Sequence, residues 1–309
     1  MKATVYKSTG SWYVLKSDDN HFYNARLKGK FKIDEITSTN PIAVGDKVDF
    51  DFEGEENKNA IIIDLHPRAN YVNRVSPANR RMHHIIASNI DQSILIATIK
   101  DPKTSLGFID RFLVTCEAFH IPAIILFNKA DIYKEKEMKI YQERMLMYED
   151  IGYKVLLTSV TTNQGMDELQ NLLQRKKTLF SGHSGVGKSS LINKILGNED
   201  IKTSEVSNWS GKGMHTTTFA EMYDLPFGGQ IIDTPGMREF AIADIERKEL
   251  SHYFPEMRAL LNNCQYNNCM HINEPSCAIK EAVLDGVISE ERYISYCTIL
   301  DSIKENDWD

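Results

Sequence analysis

A glycine-rich segment of eight residues constrains the fold of this chain more than any other feature. Residues 182–189 read GHSGVGKS and match the pattern G-x-x-x-x-G-K-[ST]. An apolar run, KTLF, precedes the segment, and SSLINKIL follows it with helical spacing. The backbone N–H groups of such a turn converge on phosphate oxygens, and the following helix adds its positive N-terminal end. The segment therefore predicts a strand, a phosphate-binding loop and a helix within an α/β fold.

The residue types in this phosphate loop predict which groups contact the nucleotide phosphates and Mg²⁺. Lys188 is expected to reach the β- and γ-phosphates, and the Ser189 hydroxyl is expected to ligate Mg²⁺. The other expected nucleotide contacts come from the loop and the start of its helix: Gly182, His183, Ser184, Gly185, Val186, Gly187 and Ser190.

A second motif, Asn128-Lys129-Ala130-Asp131, directly follows the buried strand AIILF. A carboxylate at position 131 can accept hydrogen bonds from N1–H and the exocyclic amine of guanine, whereas adenine would leave it unpaired. Asn128 and the stem of Lys129 would brace the loop and cover the base, and the backbone N–H of Ser159 would complete the pocket. Alone, this motif fits a helix cap about equally well. Beside a phosphate loop it predicts guanine specificity.

Two further segments carry residues expected to sense the γ-phosphate. Asp233 ends the strand run QIID, where a carboxylate would hold Mg²⁺ through water, and the N–H of Gly236 would bond the γ-phosphate. Residues 211–218, GKGMHTTT, supply the hydroxyl expected of a switch loop ordered by γ-phosphate and Mg²⁺. Thr216 and Thr217 remain alternatives for that ligand, and an ordinary flexible loop is the alternative for the whole segment.

The residue after Gly236 bears on catalysis. Many GTPases place a glutamine there to orient the attacking water, but this chain has Met237, which cannot hydrogen-bond water in that way. Slow intrinsic hydrolysis is therefore expected. His215, beside the switch threonines, is the candidate catalytic residue, and a solvated loop histidine is an equally good interpretation.

The order of the motifs is permuted, because the base motif precedes the phosphate loop. The same sheet can still form, since pairing depends on neighbours in space. Strands alternate with helical patterns over residues 85–245, which predicts a parallel sheet covered on both faces. Residues 1–67 read as short strands and turns, typical of a small β-barrel such as an OB-fold. Residues 68–84 read as a linker, and residues 246–309 as a helical domain.

The helical domain contains a cluster of potential metal ligands with the spacing C-x4-C-x-H-x5-C. Three thiolates and one imidazole form a closed tetrahedral set, as in structural zinc sites, so one structural zinc ion per chain is expected. The alternative is a group of buried soft side chains without metal. The four candidate ligands are Cys264, Cys269, His271 and Cys277.

The net charge of −7 at pH 7 excludes a protein that coats nucleic acid through overall positive charge, so RNA binding would need a local basic patch. Arg26, Lys28, Lys30 and Lys32 alternate with apolar residues, and on a strand all four would share one face. That face could track RNA phosphates, or it is an ordinary solvated strand face. No secretory leader or membrane span is expected, which favours the cytoplasm.

Taken together, the motifs resemble the ribosome small subunit-dependent GTPase A family over essentially the whole chain. The resemblance rests on NKAD, GHSGVGKS, GKGMHTTT, DTPGMREF and the Cys/His cluster, in that order, after a β-rich N-terminal domain. It implies an OB-fold, a permuted GTPase and a zinc domain. It also implies a cytoplasmic role in late maturation of the small ribosomal subunit, through binding of GTP, GDP, the subunit and its rRNA, with GTP hydrolysis stimulated by the subunit. Separately, we expect a monomer. The rival interpretation is a nucleotide-gated RNA-binding module whose hydrolysis is incidental.

Overall fold

The N-terminal strands close into a five-stranded barrel. The computed structural model describes residues 1–28, 41–53, 59–75, 83–197, 220–234 and 245–303. The barrel strands are β1 (Lys2–Ser8), β2 (Tyr13–Ser17), β3 (Phe22–Leu27), β4 (Lys47–Phe52) and β5 (Ala60–Leu65). They pair in the order β1-β2-β3-β5-β4, and β4 returns to β1. Alternate residues such as Val5, Leu15 and Phe50 are fully buried inside it, as the period of a strand requires. The predicted OB-like barrel is confirmed.

The segment that we expected to be a linker contains a β-hairpin. Strands β6 (Tyr71–Val75) and β7 (His83–Ser88) pair antiparallel. Arg68 just before it is mostly buried, because its guanidinium binds both carboxylate oxygens of Asp46 at 2.7 and 2.6 Å. Ser88 Oγ donates to the same carboxylate at 2.5 Å. These contacts fix the hairpin to the barrel, which a polar sequence read without its partner residues does not reveal.

The central domain is a six-stranded sheet in the order β10-β9-β8-β11-β13-β12. Its strands are β8 (Gln92–Ala97), β9 (Ala123–Phe127), β10 (Lys154–Leu157), β11 (Lys177–Ser181), β12 (Glu221–Asp224) and β13 (Gln230–Asp233). All neighbours are parallel except β12, which runs antiparallel to β13. The base motif follows β9 and the phosphate loop follows β11, and these two strands lie on either side of β8. The motifs are thus permuted along the chain but meet in space.

Helices cover both faces of this sheet, so its central strand β8 is entirely buried. One face carries α1 (Leu106–Ala118) and α2 (Glu135–Asp150), which pack onto residues such as Leu95 and Phe127. The other face carries α3 (Met166–Leu173) and α4 (Lys188–Leu196). The carboxyl ends of β9, β11 and β13 meet at one edge, where ligands bind in sheets of this kind.

The barrel extends the central sheet. Lys7 of β1 pairs with Glu221 of β12 in antiparallel register, so one sheet of eleven strands runs through both domains. The Lys7 ammonium also lies 3.0 Å from the Glu221 carboxylate.

The C-terminal domain packs against α1. It contains a 3₁₀ segment at Arg247–Tyr253 and helices α5 (Pro255–Arg258), α6 (Ala278–Leu284) and α7 (Glu290–Ser302). Arg292 of α7 is 1% exposed and donates to Asp110 of α1 at 2.6 Å and to Glu256 of α5 at 2.7 Å. Within the described ranges, no helix has the length and apolarity needed to cross a bilayer.

Candidate functional site

The phosphate loop connects β11 to α4 and lies against the base motif. Gly187 has a φ of +91°, and a Cβ built on it would lie 2.5 Å from Asn128 Nδ2. A side chain at 187 would therefore push the two motifs apart. Similarly, a Cβ on Gly182 would lie 2.6 Å from the carbonyl oxygen of Ile96. Glycine at these positions permits the close packing that brings the loop to the edge of the sheet.

Lys188 and Asp233 meet at the centre of this edge. The Lys188 ammonium forms an ion pair with Asp233 Oδ1, and both side chains are largely buried. Asp233 ends β13, and the neighbouring Thr234 Oγ1 donates to the carbonyl of Phe180 in β11 at 3.2 Å. The cation expected to bind phosphate is thus in direct contact with the carboxylate expected to hold Mg²⁺. The Asp233 carboxylate and the hydroxyl of Ser189, the residue after Lys188, are hard oxygen donors of the kind that fits Mg²⁺.

Asn128 joins the base motif to the phosphate loop. Its Nδ2 donates to the carbonyl oxygen of Val186 at 3.0 Å, and its Oδ1 accepts from Thr158 Oγ1 at 3.2 Å. Asn128 is 2% exposed, so these bonds are shielded from water. Through these two bonds Asn128 connects the phosphate loop to the residue after β10.

The last two residues of the base motif, Ala130 and Asp131, lie in a 3₁₀ turn at Ala130–Ile132. Asp131 is exposed, and its Oδ1 accepts from Ser159 Oγ at 2.5 Å. We expected the backbone N–H of Ser159 to face the base, but it donates to the carbonyl oxygen of Gln164 at 3.0 Å. The side chain of Ser159, rather than its N–H, is the group that orients the carboxylate of Asp131.

A loop that the sequence did not single out also reaches this site. Residues 98–104, which we call the β8 loop, follow the carboxyl end of β8 beside the phosphate strand. The carbonyl oxygen of Asp101 accepts from Lys129 Nζ at 2.6 Å. Thr104 Oγ1 lies 2.8 Å from Nε2 of His183, in the phosphate loop. The only sequence signal was its place after a buried strand of the parallel sheet.

Several predicted residues lie outside the described residues: His215, Thr216, Thr217, Gly236 and Met237. The described segments end close to them on the chain. Strand β12 begins at Glu221, shortly after the threonines, and β13 ends at Asp233, three residues before Gly236.

The predicted metal ligands come together in one cluster before α6. Their ligand atoms all lie within 4.8 Å of one another. Nδ1 of His271 is 3.6 Å from Cys264 Sγ and 3.5 Å from Cys277 Sγ. Burial, aided by the neighbouring thiols, raises the pKa of Cys269 to about 12, and burial lowers the pKa of His271. A neutral imidazole among three sulfur atoms is a donor set that fits a structural zinc ion.

A carboxylate and two tyrosines hold the loop that carries His271. Glu274 accepts from the backbone N–H groups of Met270 at 2.7 Å and Ile272 at 2.9 Å, on either side of the histidine. The Tyr293 hydroxyl of α7 donates to the carbonyl oxygen of His271 at 2.6 Å. The second tyrosine, Tyr296, donates to the carbonyl oxygen of Met270 at 2.9 Å. These groups lie outside the Cys/His cluster and orient the loop that carries His271.

Only part of the basic strand is described. Arg26 and Lys28 are exposed, whereas Ala25 is buried. This is the alternation between the two faces of a strand that the sequence predicts. Arg26 forms an ion pair with Glu53, which offsets some of the positive charge on this face. Lys30 and Lys32 lie outside the described residues.

Fold and site together define a circularly permuted P-loop GTPase that follows an OB-like barrel and precedes a Cys/His domain. Comparison with known proteins agrees. The RsgA N-terminal domain model matches residues 2–62, and the RsgA GTPase model matches residues 65–243. The chain belongs to the RsgA GTPase family.

Individual relatives match over nearly their whole length. A protein named small ribosomal subunit biogenesis GTPase RsgA from Cytophaga hutchinsonii is 53% identical, covering 97% of this chain and 98% of that protein. One of the same name from Flavobacterium johnsoniae is 50% identical, with 99% and 94% covered. The crystal structure of YjeQ from Thermotoga maritima is 32% identical with a TM-score of 0.77, covering 97% of both chains. YloQ, described as a circularly permuted GTPase, is 27% identical with a TM-score of 0.73, covering 99% and 96%.

Proposed function

We propose that this protein binds the small ribosomal subunit and hydrolyses GTP during the subunit's late maturation. The observation that carries this proposal is the convergence of the phosphate loop, Asn128 and Asp233 at one sheet edge, in a chain that belongs to a GTPase family. The relatives' names, which refer to biogenesis of the small ribosomal subunit, support that subunit as the partner.

Phosphoryl transfer from GTP to water depends mainly on positioning and on stabilising charge at the γ-phosphate. Lys188 and the N–H groups of the phosphate loop supply fixed donors for the phosphate oxygens. Ser189, Asp233 and one of the two switch threonines, Thr216 or Thr217, would hold Mg²⁺, which neutralises charge on the β- and γ-phosphates when bound. The N–H of Gly236 would contact the γ-phosphate.

Guanine selection is assigned to the base motif. Asp131 would accept from N1–H and the exocyclic amine of the base, while Ser159 holds one of its oxygens. Lys129, anchored on the β8 loop through Asp101, would cover the base with its aliphatic stem. Ala130 lies between these two residues and would contribute through its backbone.

Orientation of the attacking water is assigned to His215, because Met237 has no polar group for it. On the chain, His215 lies six residues before the start of β12, and Met237 lies four residues after the end of β13. On this proposal hydrolysis by the free protein is slow, and contact with the subunit brings His215 to the water. Turnover is then a signal of correct docking.

The remaining parts of the proposal concern stability and docking. One structural zinc ion would be held by the Cys/His cluster, supported by its donor set and geometry. The barrel would contact rRNA through the exposed side chains of Arg26 and Lys28, and the sequence predicts that Lys30 and Lys32 take part as well. The protein would act as a monomer in the cytoplasm, where small subunits are assembled and thiols stay reduced.

Turnover of GTP, measured with and without purified small ribosomal subunits, tests the proposal. We expect a low rate for the free protein and strong stimulation by small subunits, with little stimulation by large subunits. Lys188→Ala is the inactive control, because it removes the cation that binds phosphate. A rate that subunits leave unchanged, together with nucleotide-dependent RNA binding, would instead support the nucleotide-gated RNA-binding module.

A further inference from the structure

The β8 loop touches both nucleotide-binding motifs at the same time. Its Asp101 carbonyl accepts from Lys129 of the base motif at 2.6 Å. On the other side, a Cβ built on Gly185 of the phosphate loop would lie 3.4 Å from Pro102 Cδ. A conformational change in this loop would therefore alter contacts with both the base motif and the phosphate loop.

The most direct polar contact between the β8 loop and the phosphate loop joins Thr104 to His183. Thr104 Oγ1 lies 2.8 Å from His183 Nε2, and Thr104 is only 1% exposed. The ring of Phe108 meets the imidazole edge-on, with centroids 5.5 Å apart. His183 is the second residue of the phosphate loop, so its position influences the path of the backbone whose N–H groups face phosphate.

The partners of these two side chains define the direction of the hydrogen bond. The backbone N–H of Thr98 can only donate, so Thr104 Oγ1 accepts from it, at 3.0 Å. The carbonyl oxygen of Ser184 can only accept, so His183 Nδ1, at 3.2 Å, carries the proton. A neutral imidazole protonated on Nδ1 presents a lone pair at Nε2. The Thr104 hydroxyl therefore donates to Nε2 of His183.

Thr104 is itself held in place by two other elements. Its N–H donates to the carbonyl oxygen of Thr98, at the end of β8, at 2.8 Å. Its carbonyl oxygen accepts from Nη1 of Arg144, a buried residue of α2, at 3.2 Å. The hydroxyl that reaches His183 is thus supported from the sheet and from a helix.

We propose that Thr104 is a positioning residue for nucleotide binding, because its hydroxyl holds His183 and, through it, the phosphate loop. This inference rests on the proposed GTP-binding function and deepens it. Without the hydroxyl, Nε2 loses its donor, the loop gains alternative conformations, and the nucleotide must order the loop as it binds. GDP and GTP both use this loop, so both should bind more weakly. The effect on KM should exceed the effect on kcat.

Two substitutions separate the hydroxyl from the shape of the side chain. Thr104→Val keeps the branched shape and removes the hydroxyl, whereas Thr104→Ser keeps the hydroxyl. Affinities of the full-length chain for fluorescent GDP and GTP analogues are measured by titration. We expect the valine variant to bind about threefold to tenfold more weakly and the serine variant within about twofold of the wild type. Thr298→Val, which removes an exposed hydroxyl that donates within α7, is the matched control and should leave both nucleotide affinities unchanged.

A double-substitution cycle tests whether Thr104 acts through His183. In a His183→Ala background, Thr104→Val should cause a much smaller further loss of affinity, limited to the effect of leaving the Thr98 N–H without its acceptor. The ¹⁵N resonances of the His183 ring in the wild type should report the tautomer protonated on Nδ1, a readout that needs no variant to fold.

Four results would overturn the inference: wild-type affinity in the valine variant, equal losses for valine and serine, losses that multiply in the cycle, or a ring protonated on Nε2. Failure of the proposed function looks different, because then the wild-type chain itself would not bind guanine nucleotide.

Discussion

At position 131 a single carboxylate is expected to decide which base the site accepts. Asp131 is exposed and oriented by the Ser159 hydroxyl at 2.5 Å, so one oxygen has a fixed partner on the protein. Guanine offers two adjacent donors to such a group, and a base lacking them would leave the carboxylate unmatched. Specificity at this scale depends on one side chain and the hydroxyl that holds it.

Asp131→Asn should shift the preference from guanine toward xanthine nucleotides. The amide can donate to the 2-oxo group of xanthine, and its carbonyl is a poorer match to the two donors of guanine. Competition between GDP and XDP for the site measures the shift. Asp150→Asn, at an exposed position that ends α2, is the control. Unchanged GDP affinity without any gain for XDP would rule out this role for Asp131.

His215→Ala should abolish most of the subunit-stimulated turnover while nucleotide affinity stays unchanged. Groups that orient water or remove its proton typically contribute about 100- to 10,000-fold. Single-turnover hydrolysis with saturating small subunits gives the rate. Met237→Ala should matter less, because the methionine has no polar role. If His215→Ala keeps the full stimulated rate, the trigger is a different group, and the subunit itself is the next place to look.

At the scale of elements, contacts from neighbouring residues hold the loop that carries the candidate metal ligand His271. Glu274→Gln should accelerate zinc loss, because both carboxylate oxygens accept backbone N–H groups around His271 and an amide keeps only one acceptor. Outer groups of this kind typically contribute about 10- to 100-fold to metal affinity. Zinc released to a chromophoric chelator is followed over time. Glu281→Gln, on the exposed side of α6, should release zinc as the wild type does. Equal release rates in both variants would contradict the role of Glu274.

The contacts between α1, α5 and α7 lead to a second prediction at this scale. Arg292→Met should lower the free energy of unfolding by about 3–5 kcal/mol, because it leaves Asp110 and Glu256 buried without their cation. Arg258→Met removes a half-exposed pair with Glu117 at the same junction and should cost at most about 1 kcal/mol. Urea denaturation compares the two. Similar losses would show that burial of the Arg292 cluster is not the deciding factor.

Elements with a strong local signal were predictable from the sequence, and elements defined by distant partners were not. The strand, loop and helix around Lys188 and the barrel strands follow from local periodicity and glycine placement. Hairpin β6–β7, which begins inside the predicted linker, has no strong local signal, because what fixes it is the pairing of Arg68 with Asp46. The cysteine spacing predicted the cluster of candidate metal ligands, but nothing in the sequence pairs Thr104 with His183, because 79 positions separate them.

On the scale of the whole molecule, the barrel is attached to the hairpin that joins both switch segments. Strand β12 follows the switch threonines and pairs with β13, which ends at Asp233. The barrel contacts β12 through β1 and through Asp224, whose carboxylate accepts from Tyr6 at 2.8 Å and from Lys16 at 2.6 Å. We therefore expect a displacement of the barrel on docking to act on β12, and through its pairing with β13 on the end of the strand that carries Asp233.

Asp224→Asn should reduce the stimulation of GTP turnover by small subunits, by about fivefold or more if this contact carries a typical coupling free energy. The amide still accepts from Tyr6 but loses the ion pair with Lys16, so the barrel is held less firmly on β12. Affinity for GDP should stay unchanged, because Asp224 lies at the far end of β12 from the switch. Lys16→Met should cause the same loss, and the double variant no more than either single one. Asp64→Asn, an exposed carboxylate of β5, is the control. Full stimulation in all three variants would mean that the barrel docks without influencing the nucleotide site.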